Sequence, residues 1–469
     1  MSVNKLTEGS ILRSLITLSL PIVFANILHT AYNLIDTFWV GRLGENAIAA
    51  VSLSFPIIFL IISLGGGLAI AGSIFIAQYK GKGDNDKIDK VSMQTFILII
   101  FVSLILSIVG YFSAEYLLQL MGAENNVIMN ATIYLKVSFL GMLFVFIFFM
   151  FQSVLRGIGV VKLPMYVVSA TVILNAILDP ILINGWGVIP AYGVAGAAIA
   201  TLFSQAVAAM ISLYYLFRGK FGIHLKIKDI KPDWKIIKDL FKLGIPASLE
   251  QSTRAFGFAL MTVLVVRFGT SSIAAYGIGT RILSFVVIPA IGLSMAASTL
   301  VGQNIGAKKI KRAEDIAIQS TIISFVILSL AGVLIYFFAH ELSEFFIPGE
   351  LEAIKESTNL IRIMALSFGF IGVYQVLSGT LRGAGDTFMA MIFTFISLWV
   401  LQFPIAYILS RYFLNEEGIW WSFPLSNIIS TFGLIIYFMK GTWKKKKITD
   451  EEKNIIKVSE ETLVEEGLN

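Results

Sequence analysis

Cysteine is absent from this 469-residue chain, which removes disulfides, thiolate metal sites and cysteine nucleophiles. Charge is scarce too. Asp, Glu, Lys and Arg make up 14% of the residues against 57% hydrophobic ones, where soluble domains carry about 25% charged residues. With a mean hydropathy of +0.82, this shortage marks a polytopic membrane protein. The chain also lacks a Walker A loop, a GxSxG elbow and any metal-spaced histidine cluster, having only 3 histidines. No enzyme activity, no ATP-driven step and no cofactor are therefore expected. The net charge of +6 is not by itself a nucleic-acid footprint, and no nucleic-acid partner is expected. The partners expected are the lipid bilayer and a small molecule, with the chain acting as a monomer. MSVNKLTEGSILR shows no small-residue cleavage motif, so the first apolar run is expected to be retained.

What is abundant is long apolar sequence. At about 20 residues per crossing, twelve spans are expected, near 14–40, 47–77, 93–113, 127–153, 164–184, 192–217, 239–267, 271–302, 314–340, 357–380, 387–411 and 418–439. The fold class expected is all-α. Basic residues fall on alternate connections: Lys5 and Arg13, then Lys80 to Lys90, Arg156 and Lys162, Arg218 to Lys242, Lys308 to Arg312, Arg382, and the tail from Lys440. The positive-inside rule places both termini in the cytoplasm of a multi-pass cell-membrane protein.

The chain reads as two copies of one plan. Leu20-Pro21 recurs as Ile245-Pro246, Gln78 and Gly81 as Gln303 and Gly306, and Leu155-Arg156-Gly157 as Leu381-Arg382-Gly383. Six spans, an even number, separate the copies. The repeat is thus parallel, about an axis along the membrane normal. The expected organisation is an N-lobe over 1–217, an interlobe linker over 218–238, a C-lobe over 239–440 and a charged tail over 441–469.

Two carboxylates interrupt this apolar background: Asp36 in YNLIDTFWV and Asp179 in ILNAILDPILI. Intramembrane acids are costly and mark functional sites. Counting 1.5 Å per residue, Asp36 and Asp179 lie about 6–9 Å below the outer ends of their helices, and Tyr134 and Thr201 about 10–14 Å. Asn175 shares a helical face with Asp179. Such oxygens suit Na⁺, and the same carboxylates can carry protons; two adjacent acids in low dielectric cannot both ionise cheaply. The coupling ion is thus Na⁺ or H⁺, with Na⁺ expected at Asp36, Asn175, Asp179 and Thr201. Pro180 weakens its helix and offers a bend. Asn33 and His29 lie one and two turns before Asp36. A buried Asp can also simply bond to neighbouring hydroxyls, and a lone His to an adjacent helix.

The second copy differs. Asp36 corresponds to Met261, and Asp179-Pro180 to Phe403-Pro404. A carboxylate needed only to fold the repeat should recur in both. The second half carries instead Glu250 and Arg254, at i,i+4 spacing: either a self-compensated pair or a substrate or gating element.

LSLPIVFANILHTAYNLIDTFWVGRLG, the LRGIG and LRGAGD turns, LNAILDPILI and GVAGAAIATL together resemble the multidrug and toxic compound extrusion (MATE) family over about residues 10–440. The resemblance implies two six-helix lobes around a central cavity and cation-driven export of cationic, amphipathic compounds. Asp36, Tyr134, Asn175, Asp179 and Thr201 match the N-lobe network of DinF-like members. Glu250 matches a glutamate of NorM-like members, whose second acid is replaced here by apolar residues around Ile371. A cation-coupled antiporter of drug-like or metabolite cargo is the function expected; the alternatives are a lipid-linked precursor flippase and a channel.

Overall fold

The computed structural model describes residues 6–446 and 448–449, leaving aside the side chains of residues 125, 126, 258 and 259. Most of the expected charged tail lies outside the described residues. The first half supplies α1 (Ile11–Gly41), α2 (Glu45–Lys82), α3 (Asn85–Leu120), α4 (Asn125–Gly157), α5 (Lys162–Asn184) and α6 (Val194–Arg218). The second half supplies α7 (Trp234–Val265), α8 (Thr270–Gly306), α9 (Ile310–Phe337), a short α10 (Ala339–Phe346), α11 (Leu351–Ala365), α12 (Phe368–Gly383), α13 (Thr387–Phe395), α14 (Phe403–Tyr412) and α15 (Glu416–Met439).

The protein is all-α, with twelve transmembrane helices. Among the described residues, ten segments are each long and apolar enough to cross a membrane, with α13–α14 counted as one; α11–α12 adds an eleventh. The twelfth is α7, whose 32 residues rise about 48 Å. Its apolarity is diluted by Glu250, Arg254 and the lysines of its first turns.

Two spans are less regular than their sequence suggests. The tenth bends by 52° between α11 and α12. Neither Pro nor Gly occupies the break at Leu366-Ser367; beyond it, Gly332, Gly369 and Gly372 bring α12 hard against α9. In the eleventh, residues Ile396–Gln402 form a π-helical stretch between α13 and α14. Pro404 cannot donate to the carbonyl four residues back, and the ladder ahead of it slips to the wider spacing.

The halves meet through exchanged helices. α1 packs on α5 of its own half and on α8 of the other; α7 packs on α13 and on α2. Glycines allow the approach. A Cβ at Gly67 would strike Ser248 on α7, and one at the equivalent Gly292 would strike Val23 on α1. The Ser248 hydroxyl donates to the Leu64 carbonyl at 2.5 Å.

Nearer the face on which residues 7–9 and 448 lie, the repeated Gln and Gly residues form a symmetric seal. Gln78 Nε2 donates to the Gly383 carbonyl (3.2 Å), and Gln303 Nε2 to the Gly157 carbonyl (2.8 Å). The backbones pass so closely here that a Cβ at Gly81 would collide with the carbonyl of Gln303, and one at Gly306 with that of Gln78. The first and last described residues lie on the same face. Lys309 Nζ and Arg312 Nη2 donate to the carbonyls of Thr7 and Gly9, while Ile448 packs on Gly385.

The connection between the halves is laced to α3. Gln94 Nε2 donates to the Asp229 and Lys231 carbonyls, and its Oε1 accepts from the Asp233 amide. Asp233 caps α7 and pairs with Lys90 at 2.6 Å, and Lys226 pairs with Asp89 at 2.7 Å. The hydrogen bond from Lys90 holds the Asp233 carboxyl below the ordinary carboxylate range; that to Asp89 raises the Lys226 ammonium.

Two outcomes follow from these contacts. The native chain has no cysteine, and a Cβ at Gly302 would lie 3.0 Å from that of Ala77. The double variant Ala77→Cys/Gly302→Cys should therefore lose maleimide labelling on mild oxidation and regain it on reduction. A depressed Asp233 keeps its cap and ion pair at neutral pH and loses them as pH falls through its folded-state value. Lys90→Gln should raise the pH at which amide exchange in the first turn of α7 accelerates.

Candidate functional site

Four helices of the first half bring oxygens to one place. α1 contributes Asp36, α4 Tyr134, α5 Asn175 and Asp179, and α6 Thr201. Asp179 and Asn175 are fully buried, while Asp36 and Tyr134 are 7% and 8% exposed. The i,i+4 pair on α5 is closed by Asn175 Nδ2 donating to Asp179 Oδ1 at 3.0 Å. The Tyr134 hydroxyl is within hydrogen-bonding reach of the Asp36 carboxylate, and the two carboxylates are near enough to feel each other's charge. Tyr32, one turn before Asp36, joins the group. Its hydroxyl faces Thr201 without closing a well-formed hydrogen bond.

The cluster is incomplete as a hydrogen-bond network. Asp36 Oδ1, Asp179 Oδ2 and Asn175 Oδ1 are buried acceptors without partners. Buried acceptors without donors are costly, and a pair of carboxylates compounds the cost with mutual repulsion. A small cation or a proton placed among them would supply the missing positive charge. On the side away from the Gln78 and Gln303 contacts, a groove lined by Leu43, Asn46, Asn130, Tyr192 and Ala195 opens one to two helical turns from the cluster.

Other expected residues fall elsewhere. Asn33 is exposed, and its carbonyl accepts from Thr37 Oγ1. His29 is partly buried on α1, outside the contacts that define the cluster. α5 runs unbroken through Pro180, which leaves the Ala176 carbonyl without its helical donor.

Among the described residues, the second half has no copy of this cluster. Met261 is buried in an apolar core against which Phe403 packs. Its polar centre is Glu250, fully buried on α7. Glu250 Oε1 accepts from Arg382 Nη1 (2.9 Å), Arg254 Nη2 (3.0 Å) and Ser378 Oγ (3.2 Å). The i,i+4 pair is thus not self-contained, because Arg382 of α12 shares the carboxylate. Tyr374 joins them, its hydroxyl 3.0 Å from Thr394 Oγ1 and its ring facing Arg254. Arg382 was visible in sequence only as part of a repeated turn; nothing in that turn tells whether its side chain reaches into the lobe or out to water.

Comparison with known proteins agrees with this architecture. The MatE family model matches residues 21–181 and 246–408, one block in each half. "Probable multidrug resistance protein YoeA" of Bacillus subtilis (strain 168) is 30% identical, the match covering 95% of this chain and 97% of that one. "Probable multidrug resistance protein YpnP" of the same organism is also 30% identical, over 96% and 100% of the two chains. A solved structure described as the outward-facing conformation of a multidrug resistance MATE family transporter of the MOP superfamily superposes with a TM-score of 0.89 at 26% identity, covering 95% of this chain and 99% of that one.

Removing the carboxylate from the second-half cluster strands Arg382, whose side chain is 12% exposed, without its counter-charge. Breaking one partner out of a buried pair costs about 3–5 kcal/mol. Glu250→Gln should therefore lower the thermal midpoint in detergent markedly, and adding Arg382→Gln should restore part of the loss.

Proposed function

The chain belongs to the MatE family, and from that premise we propose that it is a cation-coupled antiporter, exporting cationic or amphipathic small molecules in exchange for H⁺ or Na⁺. The observation that carries the reading is the set of three unpaired buried oxygens on Asp36, Asn175 and Asp179, from α1 and α5. They need positive charge, and the repeat places Met261 and Phe403 where Asp36 and Asp179 stand in the first half.

Binding at the carboxylates bears on the seam through α1. Asp36 stands on the same helix as Val23, which packs against Gly292 of the other half; thirteen residues of helix separate them, about 20 Å. An ion that neutralises Asp36 and Asp179 lets α1, α4, α5 and α6 close around it. The shift of α1 then reaches α8. Tyr134, Asn175 and Thr201 complete the oxygen set, and Pro180 leaves α5 pliable beside it. Glu250, Arg254, Asn33 and His29 serve substrate binding or gating.

The lobes divide at the 218–238 linker, and the basic connections place both termini in the cytoplasm of the cell membrane. In that orientation the Gln78 and Gln303 seal closes the cytoplasmic side. The ion approaches from outside through the groove beside Asn46 and Asn130, cargo leaves outward, and the seal opens on the return. The N-lobe residues favour the DinF-like branch.

The test is dye efflux from proteoliposomes under an imposed Na⁺ gradient and, separately, an imposed pH gradient. Asp36→Asn and Asp179→Asn should each abolish gradient-driven efflux while preserving insertion and monodispersity. Tyr134→Phe should weaken the ion dependence. Full efflux by both Asn variants would overturn the carboxylate assignment.

A further inference from the structure

Two arginines at the inner ends of α4 and α12 point the unexpected way. A basic residue at the end of a span ordinarily snorkels outward to water. The bond from Gln303 to the Gly157 carbonyl fixes the level of the seal. Arg156, next to Gly157, extends away from it: Nη1 lies 3.5 Å from Met295 Sδ on α8. Met295 is eight residues above Gln303 on that helix, about 12 Å further into the membrane. The symmetry-related Arg382 does the same, donating through Nη2 to Ser294 Oγ at 3.1 Å. Consecutive residues of α8 thus hold the two guanidinium groups above the seal, one from each half.

Their charge is compensated on one side only. Arg382 has Glu250. By the repeat, the position facing Arg156 is Ala25, a buried alanine. Among the described residues, no carboxylate pairs with Arg156, whose Nη2 donates only to Ser153 Oγ at 2.8 Å. Arg254 shares that one carboxylate with Arg382, which leaves Arg156 as the uncompensated guanidinium. An inward-facing arginine with donors to spare is a fork built for an oxyanion.

We propose that Arg156, with Arg382 beside it, binds an anionic oxygen group (carboxylate or phosphate) carried by an amphiphilic cargo. This rests on the exporter reading and narrows its substrates to molecules that bear an oxyanion. The oxyanion belongs either to a soluble amphiphile or to a lipid headgroup.

The experiment compares rhodamine 110, which carries a free carboxylate, with its methyl ester rhodamine 123, by fluorescence polarisation on the purified full chain at pH 8. Rhodamine 110 should bind about tenfold tighter, as a charge-assisted hydrogen bond allows. Arg156→Gln should bring the ratio near one, and Arg156→Lys should retain part of it. Competition by phosphatidylglycerol but not phosphatidylcholine would identify a lipid source, and its absence a soluble one. Equal binding of the two dyes, tighter binding of the ester, failure to bind either, or a full preference surviving in Arg156→Gln overturns the inference. Efflux of the same dyes separates the two readings. Gradient-driven efflux indifferent to the carboxylate sinks the oxyanion site alone, whereas preserved preference in binding with no efflux of either dye sinks the exporter.

Discussion

Charge inside a lipid-embedded protein must be answered by charge, by hydrogen bonds or by a bound ion, and each half of this molecule answers differently. In the first half, two acids are buried with no positive partner among the described residues, leaving oxygens of Asp36, Asp179 and Asn175 unpartnered. In the second, Glu250 faces two arginines, Arg254 and Arg382, so positive charge is in excess, although both donate to Oε1 and Oε2 stays unpartnered. Desolvation makes both arrangements expensive. One duplicated frame therefore carries an electron-rich pocket on one side of its pseudo-axis and an electron-poor one on the other.

That frame tolerates the divergence because symmetry is enforced elsewhere. The glycine contacts at the seam and the paired bonds from Gln78 and Gln303 involve backbone carbonyls and small residues, which tie the halves together without specifying what either encloses. Met261 and Phe403 fill with hydrocarbon the space that Asp36 and Asp179 fill with oxygen. Packing there is conserved in kind; chemistry is not.

Much of this was legible in the sequence. A helix converts residue number into depth, so the matched depths of Asp36, Tyr134, Asn175, Asp179 and Thr201 foretold four helices meeting at one level. Their convergence on a common point depends on how the four helices turn and pack, which residue spacing does not carry. The twelve spans followed from apolar length, including α7 despite its charges. The bend at Leu366-Ser367 did not follow, because neither Pro nor Gly stands at the break to announce it. The inward reach of Arg156 and Arg382 was equally hidden: both read as ordinary basic residues of inner turns, and only their contacts on α8 reveal the direction. Asn33 shows the limit of counting along a helix: it stands one turn from the key acid, yet its side chain is exposed and not buried with the cluster.

The exchange of first helices has a consequence for how the molecule is made. α1 leans on α8, and α7 on α2, so neither half possesses all the surfaces its own opening helix must cover. During synthesis, α1 enters the bilayer long before α8 emerges from the ribosome, and its glycine-matched face stays against lipid until the second half arrives. Assembly is thereby obliged to wait for the whole polypeptide. Severed halves should need each other's company to mature, like the two sides of a clasp.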